Sequence, residues 1–196
     1  SEKKLTELVN SNTAIEIINE IHSQLEELIK LRSPSKNLTT AELALGIENH
    51  LDGNLVNNYG NWIYYPWINK LVHLLGEKEF IEVRTNRNKN KITQLEQEKL
   101  GLKKIGIIGL SVGKSIAMTM ATERICGELV LADFDVIELS NLNRIQTGIH
   151  NFGVKKTTVV AREIAEIDPY LKVTCFNDGL IKDNALKIAN WTFITE

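Results

Sequence analysis

Gly109, Ser111 and Gly113 stand between an apolar run and a helix-forming segment, and Asp133 follows about twenty residues later. These residue types at this spacing suit a nucleotide. A glycine-bearing turn lets a phosphate approach the backbone. The N–H groups that open the next helix, with its macrodipole, favour the negative charge. An acid at the end of the following strand is placed to grip ribose hydroxyls. Lys114 puts a cation at the helix start, unfavourable by roughly 0.3–1 kcal/mol unless an anion sits there. It is expected either to meet a phosphate or to swing out into water.

The elements that must hold these residues follow from the pattern. Residues 104–108 form a short β-branched run that reads as a strand. Residues 112–125 carry Ile116, Met120 and Ile125 among helix-forming Ala and Met, and residues 129–132 form a second strand ending on Asp133. Two other motifs compete. Gly113-Lys114-Ser115 looks like the end of a Walker A loop, but that motif needs Gly where Ile108 stands. Gly109-Leu110-Ser111-Val112-Gly113 fits a hydrolase nucleophile elbow; His150, the one histidine after Ser111, comes too early for the usual triad order.

Residues 133–144, DFDVIELSNLNR, closely resemble the D-x-D-x-[VI]-x-x-S-N-L-x-R-Q signature of the ThiF/MoeB adenylyltransferases, the superfamily of ubiquitin-activating enzymes. Ile145 precedes Gln146 where that family has Gln directly after Arg. Asn151-Phe152-Gly153-Val154-Lys155-Lys156 is similar to its D-x-G-x-x-K, and Ile167-Asp168-Pro169 with Val173 to its N-P-x-V. The resemblance covers the chain from Arg84 onward. It implies an adenylate-forming reaction, ATP plus a carboxylate giving an acyl-adenylate and pyrophosphate. By this likeness Gly109, Ser111 and Gly113 face phosphate, and Asp133, with Asp135 beside it, holds the ribose. Asn141, Arg144 and Lys156 hold the triphosphate, with Lys155 the alternative match and turn-capping the alternative role for Asn141. Solvated turn residues are the alternative for Asp133 and Asp135. Arg84-Thr85-Asn86-Arg87 followed by Gln97 resembles the family's R-Y-x-R-Q and G-x-x-Q segments. That makes Arg87 the candidate arginine supplied in trans across a homodimer, although a basic run such as RTNRNKNK also reads as a solvated face. Arg144, Lys156 and Arg87 are thus the catalytic candidates. The implied cofactors are ATP and Mg2+, whose expected aspartate ligand lies beyond the chain. The implied acceptor is a carboxylate, that of a ubiquitin-like or sulfur-carrier protein or another. A non-catalytic nucleotide-binding scaffold and an NAD-dependent oxidoreductase stay open as alternatives.

The expected fold is α/β, a Rossmann-like doubly wound parallel sheet of about four strands over residues 101–196, preceded by a mainly helical region over residues 1–100. The third strand is expected near residues 171–176, after a helix near 155–167; a short helix near 181–189 and a fourth strand from 191 follow. Upstream, the apolar stripe from Ala14 to Ile29 reads as one amphipathic helix, and Thr39 with Glu42 as a capping box opening a second. Residues 62–67, WIYYPW, read as packing at an interdomain seam within loops, and His73 as a helix residue beside a core. The net charge of −2 argues against a dedicated nucleic-acid binder, and no apolar run approaches the ~18 residues of a membrane span. Cys126 and Cys175 suit a reducing cytoplasm as buried apolar residues, with no C-x-x-C pair for zinc. The absent initiator Met predicts a start inside a longer protein or after processing. The half-finished sheet predicts either a truncated piece or a chain that ends where its relatives continue, and its open strand edge favours association or marginal stability.

Overall fold

A run of parallel strands needs helical crossovers, and the alternation from Lys104 onward supplies them. The computed structural model describes residues 2–181 and 192–195. It divides the chain into two units, Ser1–Arg87 and Asn88–Glu196.

In the second unit, α5 (Gln94–Gly101) precedes β4 (Lys104–Ile108), α6 (Gly113–Glu123), β5 (Glu128–Ala132), α7 (Lys156–Ile167), β6 (Lys172–Phe176) and β7 (Thr192–Thr195). The four strands are parallel in the order β6-β5-β4-β7. The chain therefore winds outward from β4 and returns to its other side, which creates a switch point where ligands of such sheets bind. This is the Rossmann-like α/β fold expected from the sequence. The expected helix near 181–189 lies outside the described residues, apart from its first position.

Central β5 is buried along its whole length, as its apolar run ELVLA requires of a strand covered on both faces. Its leading Glu128 is charged even there. Burial would push its carboxyl up, but Lys172 at 3.0 Å and Lys104 at 3.3 Å hold it below the usual carboxylate range. Helices α6 and α7 pack side by side, joining Ala117, Ala121, Val160 and Ile164 to Ile107, Leu129 and Leu131 of the sheet. The C-terminal end of α6 has orphan carbonyls, which side-chain amides cap. Asn88 Nδ2 donates to the Glu123 carbonyl at 2.9 Å, and Gln97 Nε2 to that of Arg124 at 2.9 Å.

The first unit holds α1 (Glu2–Ser11), β1 (Glu16–Asn19), α2 (Ile21–Arg32), α3 (Thr40–Leu51), β2 (Asn61–Tyr65), β3 (Lys70–Leu74) and α4 (Glu77–Thr85). Its core gathers Ile21, Leu25, Leu28, Ile47, Leu51 and Leu75. The Thr39–Glu42 capping box forms as expected. Three local readings are corrected. The stripe from Ala14 to Ile29 is not one helix, because its Glu16–Asn19 portion pairs in parallel with β3 as β1. WIYYPW is not loop, because its first four residues enter the antiparallel β2–β3 pair. His73 lies on that strand rather than on a helix. Short apolar runs look alike in either period, and the β-branched and aromatic residues decide it here.

His73 is fully buried and stacks on Trp62, with ring centroids 4.2 Å apart. Its Nε2 donates to the Tyr59 carbonyl at 2.6 Å, and Nδ1 pairs with the Asn19 carboxamide at 2.9 Å. Desolvation holds its pKa below the ordinary value, against the raising effect of the Tyr59 bond. The folded form therefore takes up its proton at lower pH than the unfolded chain, whose value is about 6.5. Its contribution to stability is expected to be complete above that pH and lost as pH falls through the depressed folded value. Urea midpoints measured between pH 7.5 and 5 should decline in wild type and stay flatter in His73→Phe. Parallel declines would refute the role.

Candidate functional site

The turn after β4 demands glycine at its first position. Gly109 has φ +83° and donates its N–H to the Ala132 carbonyl at 2.9 Å, tying the turn to the end of β5. The next N–H, of buried Leu110, donates to Asp133 Oδ2 at 2.7 Å. Asp133 Oδ1 accepts from the Asp135 N–H at 2.8 Å. Each carboxylate oxygen thus holds one backbone donor and keeps a lone pair for a further one. The side chain is 7 % exposed and rigidly aimed.

Lys156 is brought there by backbone pairing. Ile137 N–H donates to the Val154 carbonyl at 2.9 Å, Gly153 N–H to that of Ile137 at 2.9 Å, and Lys156 N–H to that of Asp135 at 3.1 Å. Lys156 Nζ, on a side chain only 4 % exposed, lies 2.9 Å from Asp135 Oδ2 and 3.9 Å from Asp133 Oδ2. Lys155 turns elsewhere, donating to the Phe134 carbonyl at 2.5 Å. Of the two adjacent lysines, it is therefore Lys156 that sits between the carboxylates.

Gly109, Ser111, Asp133, Asp135 and Lys156 line one cavity of about 380 Å³ at the C-terminal ends of β4 and β5. Arg144 is exposed and adjoins its wall: its guanidinium reaches Ser111 Oγ at 3.4 Å and Asn143 Oδ1 at 2.9 Å. Gly113 is buried as the first residue of α6 and is not among the lining residues. Asn141 is buried within its own turn, where Oδ1 accepts the Glu138 N–H at 3.0 Å, and it too is not part of the lining. Arg87 is exposed in the 3-10 turn Asn86–Asn90, at the end of the first unit. Lys114 neither faces the cavity nor swings into water. It is 5 % exposed and ion-paired to Glu163 at 2.6 Å.

Phe134, Asp178 and Leu180 also line it and were not anticipated. The turn signal Asn177-Asp178-Gly179 after the third strand was the available cue. Gly179 has φ +72°, and a Cβ there would approach the Phe134 ring to 3.3 Å, so this glycine lets the aromatic ring pack over the loop. Among the described residues no cluster of three or more His, Cys, Asp or Glu could hold a metal ion, and no helix is long and apolar enough to cross a membrane.

The chain is 44% identical over 165 residues to an uncharacterized protein of Mycobacterium tuberculosis, covering 81% of this chain and 23% of that protein. It is 31% identical over 96 residues to Ubiquitin-like modifier-activating enzyme 5 of Drosophila persimilis, covering 49% and 23%. This chain thus spans about a quarter of the length of these relatives. Among solved structures, the tRNA N6-threonylcarbamoyladenosine dehydratase TcdA of E. coli superposes with TM-score 0.54 at 26% identity, covering 58% of this chain and 49% of that one. TcdA has also been solved in complex with ATP. The ThiF family model matches residues 84–194, more than half of the sequence, and the chain belongs to the ThiF family.

Proposed function

We propose that this chain is the nucleotide-holding part of an ATP-dependent adenylyltransferase that activates a carboxylate as its acyl-adenylate. The observation that carries this reading is the convergence of the Gly109–Ser111 turn, Asp133, Asp135 and Lys156 on one cavity, with Arg144 in contact with Ser111. Asp133, held by two backbone donors, would accept the ribose hydroxyls. Lys156 keeps the two carboxylates oriented and offers positive charge to the phosphates. In the reaction, a carboxylate oxygen bonds to the α-phosphorus while the bond to the β-phosphate breaks and pyrophosphate departs. Charge grows on that leaving group, and a preorganised guanidinium lowers the barrier without reorganising water. Arg144 is suited to this because its guanidinium stands exposed beside the turn, already oriented by Ser111 and Asn143, whereas Lys156 is engaged by the two carboxylates.

Mg2+ would enter with the nucleotide. It needs few protein carboxylates when phosphate oxygens and water fill its shell. The acceptor in this reading is the C-terminal carboxylate of a ubiquitin-like or sulfur-carrier protein. A homodimer would bring Arg87 to the partner's nucleotide, and the cytoplasm suits two free thiols, of which Cys126 is pushed up to about 11 by burial.

The test is a calorimetric titration with Mg·ATP and, in parallel, with NAD. Saturable binding of ATP alone is the expected result. Binding of NAD alone would replace this reading with a redox one, and binding of neither by the folded chain would leave a scaffold.

A further inference from the structure

Lys114 is the one position of the phosphate turn where a side chain is hardest to explain. It occupies the first turn of α6, where a cation opposes the helix dipole. It is nonetheless buried, and its ammonium is held by Glu163 of α7 and by Gln146 of the loop that carries Arg144. Its Nζ lies 2.8 Å from Glu163 Oε1 and 2.6 Å from Oε2, and it also donates to the Gln146 backbone carbonyl. The same Glu163 Oε1 accepts from Thr147 Oγ1 at 3.0 Å, and Thr147 Oγ1 accepts from Asn151 Nδ2 at 2.9 Å. Between Arg144 and this anchor, Ile145 is buried with Ile137 and Val159; on the other side of Arg144, its N–H is bonded to the carbonyl of buried Asn141 at 3.0 Å. The backbone of Arg144 is thus fixed between buried Asn141 and buried Ile145, with the ionic anchor at Gln146 and Thr147 directly beyond. A cavity of about 540 Å³ opens on this anchor, lined by Lys114, Ser115, Met118, Arg144, Gln146 and Glu163.

The geometry points to Lys114 and Glu163 as a positioning pair that holds the Arg144 loop against the Ser111 turn. One end of the pair grows from the phosphate turn itself, so the turn and the arginine are set by a single connection. The cost of an uncompensated cation at the helix start is met by Glu163 rather than by a phosphate, which leaves the phosphate to Arg144. This inference rests on the proposed role of Arg144 toward the triphosphate. The loop anchoring itself can be tested without any nucleotide.

The variant to use is Lys114→Met with Glu163→Leu, since removing one partner alone would strand a buried charge and unfold the region. Hydrogen exchange of the 144–151 amides is read first, against that of α7 and β5. The anchor predicts at least tenfold faster exchange in the loop with the strands unchanged; equal protection of the loop overturns the proposal. The second reading is ATP affinity in the wild type, the double variant, Arg144→Ala and the combination of all three substitutions. The double variant is expected to bind ATP at least tenfold more weakly, and adding Arg144→Ala should weaken it little further. Full additivity would mean that the pair acts independently of Arg144 and would sink the positioning role. Should Arg144→Ala leave wild-type affinity untouched, the function assigned to Arg144 fails, while the exchange result still decides whether the loop is anchored.

Discussion

Replacing Asp168 by alanine is expected to destabilise the second unit by about 3–5 kcal/mol. Asp168 is completely buried at the end of α7. One carboxylate oxygen accepts from the Arg124 guanidinium, while the other accepts the N–H groups of Tyr170 at 3.0 Å and Leu171 at 3.1 Å. Arg124 ends α6 in the left-handed conformation, at φ +49°, where glycine is the usual residue. A side chain is kept there because its guanidinium has a buried partner across the helix pair. Truncating the acid strands that buried cation and removes the side-chain acceptor shared by the two backbone donors. Hydrogen exchange of the β5 amides reads this unit alone. A loss under about 1 kcal/mol, the ordinary range for a point substitution, would show that water replaces the carboxylate. Arg124→Met combined with Asp168→Leu should regain much of the loss, because a buried pair removed together leaves no orphaned charge.

The sheet was readable before the structure because each β-α-β step announces itself through period, length and punctuation. The boundaries of β4 agreed to the residue. What could not be read were long-range partners. Asn88 and Gln97 stood in a segment whose likeness pointed toward a nucleotide, yet their amides cap α6. Ile145 looked like an intrusion into a polar motif, and it is a buried pin under the loop. Lys114 offered two local choices, phosphate or water, and took neither, because Glu163 lies on a helix whose position no local pattern encodes. The same reason explains the cavity. Asp133 and Lys156 were legible from spacing and likeness, whereas Phe134, Asp178 and Leu180 join the lining only once the loop after β6 has folded beside β5. In the first unit the errors were of another kind: runs too short to distinguish strand from helix were decided by pairing with β3.

The structure also changes which substitution separates ATP from other nucleotides. By likeness alone Arg144 and Lys156 are equivalent phosphate ligands. In the fold they differ, because Lys156 lies between Asp133 and Asp135 and supports the carboxylate expected to hold ribose, whereas the Arg144 guanidinium hydrogen-bonds to its own loop and to Ser111. Lys156→Met is therefore expected to weaken ATP, AMP and any other ribonucleotide together. Arg144→Ala should spare AMP and weaken ATP by roughly tenfold to a hundredfold, the range of about 1.5–3 kcal/mol for a hydrogen bond to a charged group. Titration of both variants with both nucleotides gives four affinities. If Arg144→Ala weakens AMP as much as ATP, the guanidinium serves the common part of the ligand and is not a triphosphate contact. If Lys156→Met affects ATP alone, the lysine leaves its carboxylates to reach the phosphates, and the rigid placement of Asp133 owes nothing to it.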